Sequence, residues 1–154
     1  MVHIAMHAFG KITLFFCAGA IFVATGKKNI SEMKGIGHRM PFTMAAFFVG
    51  ALSVIGLPPT GGFLSKWYLA LGSLEAHRWP ILIVLLTSSL LNAIYFLPIA
   101  FRAFFSKAPS ETGDTKFAEA PVWCVVPPIV TAVGSVALFF FPGIFVRLAQ
   151  LVLG

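Results

Sequence analysis

The sequence predicts an all-α membrane protein of about four transmembrane helices, the second of them discontinuous, and three observations carry that reading. Only 10% of the 154 residues are charged and 58% are hydrophobic, whereas a soluble domain carries roughly 25% charged residues. Mean hydropathy is +0.93, and apolar runs of about 20 residues, the length that crosses a bilayer, recur along the chain. The third observation is an interruption. In Leu57-Pro58-Pro59-Thr60-Gly61-Gly62-Phe63-Leu64-Ser65-Lys66, helix breakers stand beside a lysine in otherwise apolar surroundings. Proline removes a donor and clashes with the preceding turn, freeing backbone groups that lipid cannot satisfy.

A single membrane domain is expected over 1–154, with spans at about 3–24, 42–74, 80–105 and 121–153. The first runs from His3 to Ala24 and stops at Gly26-Lys27-Lys28-Asn29. A polar connection follows, and Pro41 suits the first turn of the next helix. Phe42 to Leu57 and Phe63 to Leu74 are each short for a crossing, which takes about 20 residues. Together they suit one span broken at 58–62, with Pro58, Pro59, Gly61 and Gly62 as the breakers. Pro80 to Phe105 crosses with some tilt and carries Pro98, Asn92 and Tyr95. The last segment, Pro121 to Leu153, holds Pro127-Pro128 early and Phe141-Pro142-Gly143 late, so irregular ends are expected.

The net charge of +6 reads as loop orientation. No Lys/Arg cluster with interleaved aromatics points to nucleic acid. Lys27, Lys28, Lys34 and Arg39 lie in residues 26–40, and Lys107 and Lys116 in 106–120, with Arg102 near; the other side has Arg78 and Arg147. Both long loops are therefore expected in the cytoplasm, with both chain ends outside, in a multi-pass protein of the cell inner or plasma membrane. Trp79 and Trp123 stand near span ends, as interfacial aromatics do. Cys17 and Cys124 lie within apolar runs as small hydrophobes, with no metal-ligand spacing and no expected disulfide. The start lacks a basic region and a cleavage site, so no signal peptide is expected, and Met1 onward already reads as helix interior.

The ionisable residues inside the spans are the candidate site, because a charge in hydrocarbon costs at least ~2.5 kcal/mol and persists mainly where it moves or binds something. His3, His7 and Lys11 are spaced i, i+4, i+8, within an ~80° sector and over about 12 Å of helix. Facing a bundle interior, such a stack suits a proton relay, since imidazole accepts at one nitrogen and donates at the other. Lys66 lies early in the second half-helix, where the positive helix N-terminus opposes an ammonium. Its alternative is snorkelling to the interface. Thr60 and Ser65 read as caps for freed groups, while Tyr68, Asn92 and Tyr95 read as contacts to a water chain. Glu75 and His77 lie at the outer end of the broken span. No phosphate-binding loop, paired carboxylates or nucleophile–base arrangement supports enzymic chemistry within the chain, and no cofactor or metal site is expected.

Two stretches resemble a known family. His3-Ile4-Ala5-Met6-His7-Ala8-Phe9-Gly10-Lys11, followed by a Leu/Phe-rich run, and Leu57 to Lys66 with its Pro-Pro and Gly-Gly, are similar to the proton-translocating antiporter-like membrane subunits. That family includes the D-type subunit of Mrp cation/proton antiporters and the corresponding subunits of respiratory complex I. Ser88-Ser89-Leu90-Leu91-Asn92-Ala93-Ile94-Tyr95-Phe96-Leu97-Pro98 resembles the helix that follows in the D-type relatives. The resemblance implies the C-terminal portion of a larger bundle with two inverted repeats, with His7 and Lys11 on a central hydrophilic axis and Lys66 as a terminal proton site. The glutamate and lysine of the family's first repeat have no counterpart here, so partner subunits or an upstream part are expected for transport. The implied function is proton conduction in a cation/proton antiporter, with Na+ or K+ as the other ion and a lipid bilayer as the setting. The alternatives are a proton-pumping subunit of complex I, where it would form part of a translocase, and a non-conducting assembly module.

Overall fold

A computed structural model describes residues 2–26, 35–105, 119–141 and 143. Among them the chain is helical: α1 (Val2–Thr25), α2 (Ile36–Arg39), α3 (Pro41–Ile55), α4 (Gly61–Glu75), α5 (Trp79–Phe105) and α6 (Val122–Phe140), with no strand. Three of these, α1 from His3, α5 and α6, are long and apolar enough to cross a membrane, and α3 is a shorter apolar helix. The chain is an all-α membrane bundle with a discontinuous element, as the breakers predict.

The discontinuity falls slightly earlier than the prolines suggest. Gly56 adopts a left-handed conformation at φ 86° and closes α3 before Pro58-Pro59 are reached, the usual way a glycine ends a helix. Gly61 and Gly62, expected among the breakers, instead form the first turn of α4. Their value is closeness: a Cβ on Gly62 would run into the Ser53 carbonyl, and one on Gly61 would stand 3.3 Å from the Ser135 carbonyl oxygen. With α3 and α4 each 15 residues long, either is only about 22 Å, too short to cross alone.

Helix α1 lies at the centre, packed against α3, α6 and α4. Its buried stripe is Met6, Gly10, Thr13, Cys17, Ala20 and Ile21, close to the i, i+4, i+7 pattern of one helix face. Small residues let the backbones approach, as in membrane bundles generally: a Cβ on Gly10 would meet Ser53, and one on Gly50 would meet Thr13. Met44, Ala46, Phe47 and Ala51 of α3 and Ala132 of α6 complete this interior. The polar groups inside it pair with one another. Thr13 donates to the Phe9 carbonyl at 2.7 Å and lies 2.8 Å from Thr131, and Ser135 reaches Ser53 at 3.0 Å.

Helix α5 is the least covered. Only Ile99, Ala100 and Ala103 near its C-terminal end are buried, and α2, absent from the sequence reading, packs there with Gly37 close to the Ala103 carbonyl. Helix α6 continues through Pro127 and Pro128, which were expected to make its start irregular. Residues 142 and 144–153 of the last expected span, and most of the two long loops, lie outside the described residues.

Candidate functional site

The site is built around a general fact: a helix that stops inside a membrane leaves its last carbonyls without intrahelical donors. At the end of α3, Leu52 receives the N–H groups of Gly56 (2.8 Å) and Leu57 (3.0 Å). Val54 and Ile55 receive Lys66 instead, whose Nζ donates to both carbonyl oxygens at 2.9 Å. The third ammonium proton goes to Ser89 Oγ on α5 at 2.8 Å. The lysine stem lies across Gly56, where a Cβ would stand 2.6 Å from Lys66 Cδ. Gly56 thus ends the helix and clears the path of the side chain that caps it.

This geometry changes the electrostatic reading of Lys66. The sequence places it near the positive start of α4, but the side chain reaches back to the negative end of α3, where carbonyl dipoles favour a cation by about 0.3–1 kcal/mol, up to ~2 when partly buried. The Lys66 side chain is half-buried, with its ammonium turned onto protein acceptors. The clasp lies about 20 Å along α3 from its start at Pro41.

The loop of the break satisfies itself as Thr60 and Ser65 were expected to allow. Thr60 Oγ1 donates to the Leu57 carbonyl at 2.7 Å and Ser65 Oγ to the Gly62 carbonyl at 2.9 Å. His3 Nδ1 is 3.0 Å from Ser65 Oγ. With the serine proton donated to Gly62, Ser65 Oγ can accept from a protonated His3 Nδ1.

The ladder on α1 divides. His3 and His7 stack, with ring centroids 5.2 Å apart and planes at 21°. Face-to-face rings direct their nitrogens outward, so a proton passing between them requires a bridging water. Lys11 is exposed. Helical geometry explains this: each four-residue step advances about 40° around the axis, so His3 begins at the edge of the buried stripe and Lys11 ends beyond it. The structure brings together His3, His7 and Ser65 at one place and Lys66 with the break at another, joined through the first turns of α4. Tyr68, Tyr95, Glu75 and His77 are exposed, and Asn92 is half-buried.

A second charged contact escaped the sequence reading. The Glu119 carboxylate caps the start of α3, accepting from the Phe42 N–H at 2.9 Å, the Thr43 N–H at 3.5 Å and the Thr43 hydroxyl at 2.8 Å. The signal was present: the residue before the helix is Met40, which offers no side-chain cap, so an acceptor had to come from elsewhere. Cys17 donates its thiol to the Thr43 carbonyl at 3.4 Å, fixing α1 to the same end. Among the described residues, no group of three or more His, Cys, Asp and Glu could hold a metal ion.

A polytopic helical membrane bundle with a lysine clasped across a broken helix is the class of molecule these observations define. Residues 1–92 match the transmembrane family described as NADH:quinone oxidoreductase/Mrp antiporter, and the chain belongs to that family. It is 42% identical over 151 residues to the NADH-quinone oxidoreductase subunit N of Desulforudis audaxviator (strain MP104C), covering 92% of this chain and 30% of that protein. It is 33% identical over 152 residues to the A-type subunit of the Na(+)/H(+) antiporter of Bacillus subtilis (strain 168), covering 92% of this chain and 19% of that one. The chain thus spans less than a third of the length of these relatives. Its fold is similar to a chain of the Mrp complex from Dietzia sp. DQ12-45-1b, with a TM-score of 0.76 over 91% of this chain and 34% of that one, at 21% identity.

Proposed function

We propose that this chain conducts protons as the C-terminal part of an antiporter-like subunit, with Lys66 as the exchanging group and His3, His7 and Lys11 as a relay on α1. The observation that carries this reading is the clasp at the break. A half-buried primary ammonium stands at the point where two half-helices meet, with a hydroxyl among its partners. Lysine is a proton carrier in a way arginine is not, because its charged form is a compact ammonium that burial shifts readily.

The setting is a multisubunit cation/proton antiporter, with this chain belonging to its D-type subunit and Na+ or K+ as the second ion. Support for the antiporter setting comes from the A-type Na(+)/H(+) antiporter relative; the D-type assignment rests on the sequence stretches around His3 to Lys11, Leu57 to Lys66 and Ser88 to Pro98. A second reading, favoured by the 42% identity to an NADH-quinone oxidoreductase subunit N, places the same proton path in a complex I, coupled to quinone reduction elsewhere. In either setting the chain works with partner subunits in the cell inner or plasma membrane, its loops 26–40 and 106–120 on the cytoplasmic side. Neighbouring genes separate the settings: other antiporter subunits in one case, quinone and iron–sulfur subunits in the other. Labelling of cysteines placed at Asn29 and Thr112 tests the sidedness, and reaction with an outside reagent overturns it.

The function is tested with Lys66→Ala in the full-length subunit, assayed as proton flux in vesicles holding the assembled complex. Loss of flux with normal insertion and assembly is expected. Wild-type flux would leave only an assembly role. For the relay, His7→Ala and Lys11→Ala combined should be little worse than the poorer single variant, because members of one path act as a unit. Fully additive losses would mean that the two residues work independently.

A further inference from the structure

We propose that Ser89 is the group through which Lys66 gives up and regains its proton, so that the path at the break leaves sideways across α5. This rests on Lys66 being the exchanging group. Each of the three ammonium protons has an acceptor. Two are held by the main-chain oxygens of Val54 and Ile55 and the third by Ser89 Oγ, all at 2.8–2.9 Å. A peptide carbonyl only accepts; it has no proton to return to a neutral amine. A hydroxyl both accepts and donates. Of the three partners, Ser89 alone can serve both directions of an exchange.

The step balances without a charged serine. A proton leaves Nζ for a lone pair of Ser89 Oγ while the serine's own proton passes to an acceptor water, leaving a neutral amine, a neutral hydroxyl and a hydronium that hands its proton on to further water. In the return leg a hydronium donates to Oγ while the serine's own O–H proton passes to the amine lone pair, restoring the ammonium and leaving neutral water. Throughout, Val54 and Ile55 hold the nitrogen in place by its remaining two protons.

What lies beyond Ser89 supports the sideways direction. Asn92, half-buried, is three residues on and neighbours Ser89 on the helix surface, and its amide can both donate and accept. Ser88 and Asn92, with Thr87, line an open groove of about 430 Å³ along α5, shared with Ile83, Val84 and Leu91. That volume holds several waters, each taking about 30 Å³ in the liquid. Polar side chains at mid-span on a membrane helix are costly when they face lipid. Thr87 returns its hydroxyl to the Ile83 carbonyl at 2.8 Å, so Ser88 and Asn92 are the two groups of this flank for which water or hydrogen-bonding partners are expected in the assembled molecule.

The test uses the full-length subunit in its complex, in membrane vesicles, with Ser89→Ala, Ser89→Thr and Lys66→Ala measured in parallel for proton flux and for the amount assembled. Ser89→Ala removes one oxygen from a half-buried position and is expected to lower flux about tenfold or more at normal assembly. Ser89→Thr keeps the hydroxyl and should restore flux to within about twofold of wild type, which a packing role for the serine would not require. Wild-type flux in Ser89→Ala beside a dead Lys66→Ala overturns the inference and leaves the lysine reading intact, as does equal loss in the Ala and Thr variants. Normal flux in Lys66→Ala overturns both.

Discussion

The two ends of α3 are closed by opposite charges brought from elsewhere in the chain: Glu119 at the start and Lys66 at the finish. Both follow the same rule, an anion on the positive end of a helix and a cation on the negative end. They differ in what surrounds the charge. Every partner of the carboxylate is a donor, two N–H groups and the Thr43 hydroxyl, and it stands beside a loop. The ammonium has two partners that only accept and one that does both, and it stands at the break between the two half-helices. Glu119 has only donors around it, whereas Lys66 has one partner, Ser89, that can also return a proton. On the proposed function, one end of the helix is an anchor and the other the exchanging site, both built from the same physics.

The largest effect on this comparison is expected from Gly62→Ala. The new Cβ meets the Ser53 carbonyl, backbone against backbone, so α4 must shift and the Lys66 clasp opens. A loss of about 1–3 kcal/mol, the usual cost of overpacking, should appear as a lowered melting temperature in detergent, together with loss of flux. Unchanged melting would mean that the two half-helices do not approach this closely.

Glu119→Ala comes next. It strips the cap from α3 and leaves the buried Thr43 hydroxyl and two N–H groups without their acceptor, a loss of about 1–2 kcal/mol. Because this end only anchors, flux per assembled complex should stay within about twofold of wild type. A tenfold fall would make the N-terminal end part of the transport path and erase the contrast between the ends.

The smallest effect is expected from Gly72→Ala on α4, where nothing lies within 4 Å of the added Cβ. Replacing glycine in a helix interior gains about 0.5–1 kcal/mol, so melting should rise slightly. A fall there would show that glycines of α4 are constrained along its whole length, and that the closeness is not confined to the break.

Much of this architecture is legible in the sequence, and the misses have a common cause. Hydropathy and the Pro-Pro interruption locate the helices and the break, because membrane length and backbone satisfaction leave few other solutions. Lys66 stands out because charges in hydrocarbon are rare. Its partners are invisible along the chain, since Ser89 is 23 residues away and Val54 12, and the local dipole of α4 pointed to the wrong helix end. Glu119 reads as one more loop charge because its contact to Thr43 crosses 76 residues. The glycines at 61 and 62 read as breakers because their real reason, the approach of Ser53 and Ser135, is tertiary. The ladder of His3, His7 and Lys11 was found by spacing alone, and spacing could not say that its last member turns outward.

The most direct measurement of the central claim is proton flux through the complex carrying Lys66→Arg. A guanidinium keeps the positive charge and several donors for the Val54 and Ile55 carbonyls, so the cap and the assembly are retained, yet it does not release its proton in proteins. The account predicts a complex that assembles at wild-type level and melts within about 1 kcal/mol of it, but moves no protons. Wild-type flux with arginine at position 66 would show that the charge there only closes the helix, and would contradict the claim that this end of α3 exchanges protons.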